Sequence, residues 1–165
     1  CIVVGVFIWL LKENAELQRL KQSVTETVQS AENKQLQETL EKIQSQATEI
    51  SDNLNDYSWI GSEEEGKISY LKQRDNGDWQ VMKILIYPDL SEDGYYEEYY
   101  YWDERLFFAY VWTDNKKELY YYDKRGKLIR WIDTDGTVHD KENDSTEYTK
   151  RGEKYWKNAL EQLDE

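Results

Sequence analysis

The chain holds fourteen Tyr, seven Trp and three Phe, and all but Phe7 and Trp9 lie after Asp56. This partition divides the 165 residues into two materials. Tyr, Trp and Phe favour strands, where a broad ring packs on a pleated surface. The aromatic-poor segment is instead rich in Glu, Gln, Lys, Leu and Ala, the strong helix formers. The pattern predicts an α+β chain: a long N-terminal helix with a coiled-coil-like stalk, an antiparallel six-stranded β-meander, and a C-terminal helix.

Three parts follow: an apolar anchor remnant over residues 1–11, a helical stalk over 12–56, and a β-sheet domain over 57–165. The last is of common domain size and long enough to bury a core. The net charge is −13. The stalk carries 5 basic and 9 acidic residues, the domain 16 and 25. Both fields repel phosphate backbones, which argues against nucleic acid as a partner. Cys1 is the one cysteine, so no internal disulfide can form.

Residues 1–11 carry neither charge nor polar side chain apart from Cys1. As a helix the run is about 16 Å long, roughly half of a bilayer core. It reads as the outer half of a transmembrane helix, as a lipoprotein start acylated on Cys1, or as a buried helix end. The membrane readings use Cys1, Phe7 and Trp9 as anchor residues, Trp9 at the interfacial depth that Trp prefers. Lys12 is the nearby cation and Glu13 and Glu16 follow, a flank suited to the non-cytoplasmic side.

The stalk has no Pro and no Gly. Leu17, Leu20, Val24 and Ala31 form one ladder at a/d spacing, and Leu36, Leu40, Ile43, Ala47, Ile50 and Leu54 form a second. The ladders differ in register by two residues, with the change near Glu32–Gln35. That marks a coiled-coil discontinuity or a turn. One long helix, about 67 Å if straight, is the preferred reading. Packing accounts for both ladders, and a homo-oligomer through residues 17–54 is one form of it.

In the domain, polar clusters alternate with aromatic runs. Asp75-Asn76-Gly77-Asp78 predicts a hairpin with positive φ at both central residues. Strands are expected near 67–74, 79–87, 95–102, 105–113, 117–123 and 127–133, each pairing with the next. Leu106–Trp112 is apolar on both faces and should be central and covered. Tyr155, Trp156, Ala159, Leu160 and Leu163 predict the covering helix, with a cap between Asp144 and Thr149.

The densest tract runs Tyr95-Tyr96-Glu97-Glu98-Tyr99-Tyr100-Tyr101-Trp102. Rings with hydrogen-bonding tips suit sugar stacking or a protein interface, and suit cross-strand packing equally well. Tyr95, Tyr96, Tyr99, Tyr100, Tyr101 and Trp102 are therefore the candidate binding surface. Glu97 and Glu98 point to opposite faces of a strand and make no acid/base couple. His139 reads as an exposed loop or strand-end residue. One His and one Cys are too few for a zinc site. The acids at 133–144 lack the alternation, Gly and terminal Glu of a calcium loop. No phosphate loop is present, and no catalytic residue, metal or cofactor is assigned.

Residues 118–133, Glu-Leu-Tyr-Tyr-Tyr-Asp-Lys-Arg-Gly-Lys-Leu-Ile-Arg-Trp-Ile-Asp, resemble a segment of membrane-anchored surface proteins of Gram-positive bacteria. The likeness covers the layout of anchor, linker and β-domain, and is specific over these 16 residues alone. It implies a location at the membrane's outer face and little about activity. The same stretch is distantly similar to choline-binding cell-wall repeats, without their tandem copies or Gly-Trp ending. The layout also looks like a type IV pilin, although Gly5 stands where pilins carry Glu. The sequence thus points to a non-enzymatic extracytoplasmic binding module. A coiled-coil subunit of a surface assembly is the alternative, and a divergent hydrolase stands behind both.

Overall fold

In the computed structural model the described residues are 2–87, 94–140 and 146–164, with side chains from Leu17 onward. Helix α1 spans Ile2–Asp52, and a short 3-10 turn follows at Leu54–Asp56. The strands are β1 (Ser58–Ser62), β2 (Lys67–Gln73), β3 (Trp79–Ile86), β4 (Tyr96–Trp102), β5 (Arg105–Thr113), β6 (Lys116–Tyr122), β7 (Leu128–Ile132) and β8 (Val138–Asp140). Helix α2, Thr146–Asp164, closes the chain. The protein is α+β, and its strands form one antiparallel sheet in chain order. The described sheet has eight strands, where six were expected. The additions are the edge strands β1 and β8. Three-residue β8 is too short to show an alternating pattern, and Gly61, at φ +91°, interrupts β1.

Two compact units divide the chain at Thr39/Leu40. The first is helical. It carries the first ladder, whose Leu17, Leu20 and Val24 are 50%, 64% and 60% exposed. The second unit begins within α1. There Leu40, Ile43, Ala47 and Ile50 of the second ladder are buried. Helix α1 is continuous through Glu32–Gln35, so the change of register moves the apolar stripe around the helix and no hairpin forms. Cys1 and the side chains of Phe7 and Trp9 lie outside the described residues. Among the described residues no helix is long and apolar enough to cross a membrane.

The sheet's two faces have different covers. On the first, Ile84, Tyr99, Ala109, Tyr120 and Trp131 form one cross-strand row, which packs with Tyr101, Tyr122, Tyr148, Tyr155 and Ala159. Helix α2 crosses this face, and its hydrogen bonds step from strand to strand. The Tyr148 hydroxyl donates to the Leu128 carbonyl, Tyr122 to Gly152, Tyr101 to Ala159, and Lys67 Nζ to Gln162. Gly152 sits mid-helix because a Cβ there would come within 3.0 Å of Leu128. A buried Tyr removes on the order of 150–250 Å² from water, and Tyr101, Tyr122 and Tyr148 each satisfy the hydroxyl on a backbone carbonyl. That combination lets tyrosine serve as core where leucine is expected.

On the second face, Lys83, Tyr100, Phe108, Tyr121 and Arg130 form the matching row. Ser51 at the end of α1 shares a 3.0 Å hydrogen bond with the Tyr100 hydroxyl, which seats the helix end on this face. Bulges in β3, β5 and β7 add Met82, Phe107 and Ile129, all buried. The Leu106–Trp112 strand is therefore central, as expected. Its cover is incomplete: Ala109 and Val111 are buried beneath α2, while Tyr110 and Trp112 opposite are half-buried.

Turn chemistry departs from expectation at Asn76-Gly77. There Gly77 alone has positive φ, within a loop closed by Arg74 N to Asp78 O. The loops at Asp123–Lys127 and Asp133–Thr137 repeat that form. Tight turns with positive φ at both centres fall instead at Asp103-Glu104 and Asp114-Asn115.

Candidate functional site

Period-2 alternation fixes which polar side chains meet. In β4 and β6 a Glu lies two residues before a Tyr, so both project from the same face. Glu97 accepts from Tyr99 and, at 2.6 Å, from Tyr95. Glu98 accepts from Tyr100 at 2.5 Å, and Glu118 from Tyr120. Glu97 and Glu98 stand on opposite faces, as the alternation requires. Burial raises the Tyr99, Tyr100 and Tyr120 phenols far above their ordinary range, and the neighbouring glutamates add to it.

On the α2 face, Glu97 and Glu118 flank Val111 across three strands. Glu118 also receives Trp131 Nε1 at 3.1 Å and Arg151 at 2.8 Å. The phenol of Tyr155 is pushed up to about 12, by burial first and then by Glu97 and Glu118. These carboxylates are acceptors for a sealed tyrosine layer. His139 departs from expectation. It stacks on Trp131 with ring centroids 4.3 Å apart, and Nε2 lies 2.8 Å from Asp133 Oδ2. That hydrogen bond, together with the amides of Thr137 and Asp135, holds the Asp133 carboxyl below its usual range. The acidic run at 133–135 is thereby explained by loop closure. Among the described residues no group of three His, Cys, Asp or Glu is placed to hold a metal.

The Tyr-rich tract divides on folding. Tyr99, Tyr100 and Tyr101 are buried and present no surface to a ligand. Tyr95 is half-buried with its hydroxyl on Glu97, and Trp102 is exposed at the β4/β5 turn. Tyr96 belongs to an accessible group that the tract alone does not reveal. Its ring centroid lies 6.1 Å from Tyr87, 6.0 Å from Tyr110 and 6.3 Å from Trp112. Tyr110 and Trp112 are 6.3 Å apart with planes within 18°. All four rings are half-buried.

No family model, curated protein or solved structure matches this chain.

Beside these rings, on the same face of the sheet, lies a desolvated ion pair. Lys83 Nζ is 2.7 Å from Glu98 Oε2 and 4.7 Å from the Tyr100 ring centroid, with side-chain exposures of 6% and 16% for Lys83 and Glu98. Glu98 sits cross-strand from Tyr110. Burial raises the Tyr96 phenol to about 12, with Tyr110 and Glu98 contributing, so its hydroxyl stays protonated and able to donate. Sequence reasoning missed Tyr87, Tyr110 and Trp112. The available signal was the alternation Phe108, Tyr110, Trp112 along one face of β5.

Proposed function

We propose that the chain is a non-enzymatic, membrane-anchored extracytoplasmic module that binds an envelope polymer or partner protein. The observation that carries this reading is the accessible group Tyr87, Tyr96, Tyr110 and Trp112. Four rings clustered around Tyr96 offer apolar faces with polar tips, the chemistry that sugars and protein hot spots use. The acidic field disfavours a polyanion and leaves a neutral or cationic partner. The anchor rests on the uncharged run of residues 1–11 and on the surface-protein resemblance of residues 118–133. Trp112→Ala is expected to weaken retention on purified cell-envelope material about 10- to 30-fold, the loss typical of one hot-spot ring. Trp79→Ala, at the β2/β3 turn, serves as the matched control. Equal retention of both variants, or none by the wild type, would remove the reading.

A second reading, a subunit of a surface assembly, draws support from the exposed Leu17, Leu20, Val24 and Val28. Leu40, Ile43, Ala47 and Ile50 of the second ladder are buried within the second unit, which favours the first ladder as the face for self-contact. Sedimentation of the full chain is expected to give a dimer that Leu20→Glu returns to monomer. A monomeric wild type would dispose of the assembly.

A further inference from the structure

Helix α2 carries a basic face in an otherwise acidic domain. Thr146, Glu147, Lys150, Arg151, Lys154 and Tyr155 line an open concavity of about 590 Å³. Lys150 and Lys154 lie one turn apart on the helix and flank Arg151, so three cations converge on one opening. Arg151 is held in place. Nε is 3.1 Å from Glu147 and Nη1 is 2.8 Å from Glu118, with the guanidinium carbon 4.7 Å from the Trp131 ring centroid. Lys154 Nζ lies 4.8 Å over the Tyr155 ring. Neither Lys150 nor Lys154 has an acidic partner among the described residues.

We propose that this concavity binds a tetrahedral oxyanion, carried by its ligand as a phosphate or sulfate ester. With Nε and Nη1 engaged by Glu147 and Glu118, Arg151 offers Nη2 in a fixed orientation, and the two lysines supply mobile point charges on either side of it. Three cationic donors around one opening can serve the three terminal oxygens of such an ester, where a carboxylate presents two. Glu118 and Glu147 brace the guanidinium and temper its charge, so selectivity comes from the two lysines. The distant acidic field slows approach of any anion and makes the local interaction sensitive to salt. The site lies on the α2 side of the sheet, opposite the aromatic group, and does not depend on the function proposed above.

The test is titration of the full chain with inorganic phosphate, and separately with inorganic sulfate, followed by amide chemical shifts. Chloride at matched ionic strength is the reference. Saturable shifts over residues 146–155 with either oxyanion are expected, weakened at least 10-fold in the Lys150→Gln/Lys154→Gln variant. Both lysines are exposed, so the variant keeps its fold, which its circular dichroism checks. Phosphate without sulfate would assign the ester type. Shifts that chloride reproduces, or an unchanged affinity in the variant, would overturn the site.

Discussion

Raising the pH past about 10 is expected to unfold the sheet domain steeply, with phenolate absorbance and loss of circular dichroism moving together. Tyr99, Tyr100, Tyr101, Tyr120 and Tyr122 all hold their protons well above the ordinary tyrosine range, first because burial disfavours the phenolate. In an unfolded chain each ionises near pH 10. Above that value the unfolded state has lost protons that the folded state retains, so stability falls as pH rises. The stabilisation is complete below about pH 10 and is lost on the way up to the folded values. Each such tyrosine contributes a slope of about 1.4 kcal/mol per pH unit, and five give roughly 7. Against a total stability on the order of 5–15 kcal/mol, the fold should fail within about one to two pH units. A gradual phenolate titration centred near pH 10, with circular dichroism unchanged, would show that these rings are not sealed.

The second large effect concerns Lys83 and Glu98. Lys83→Met leaves the Glu98 carboxylate on a mostly dry face, hydrogen-bonded by the Tyr100 hydroxyl and without its counterion. Breaking one side of a buried pair costs about 3–5 kcal/mol, because the surviving charge loses its counterion. The lower end is expected here, since Glu98 retains some solvent. The double variant Lys83→Met/Glu98→Leu should recover most of that loss, because apolar replacements need no solvation. Chemical denaturation of the two single variants and the double one measures the coupling. Additive losses would mean that the two groups do not depend on each other. The same cycle bears on the binding face, because Glu98 shares a face of β4 with Tyr96 and lies cross-strand from Tyr110.

The Glu-x-Tyr spacing was readable before folding. Alternation alone puts Glu97 with Tyr99, Glu98 with Tyr100 and Glu118 with Tyr120, and separates the two adjacent glutamates. The helical stripes of α1 and α2 were also legible, since each is a run of apolar residues at helical period. Less legible were Gly152 and Tyr148, which belong to the α2 face through close approach to Leu128 and a bond to its carbonyl. Neither leaves a periodic mark.

Composition and period thus determined the layout of this protein: one long helix, an antiparallel sheet in chain order, and a covering helix. They could not determine which half of the Tyr95–Trp102 tract meets solvent. A straight hairpin across Asp103-Glu104 would set Tyr95 opposite Trp112. The extra residue Phe107 shifts the register by one, pairs Tyr96 with Trp112 instead, and so assembles the accessible rings on the face away from α2. A bulge forms where its side chain finds a buried place, and that place is made by other elements of the fold. The sequence near Phe107 holds no record of it.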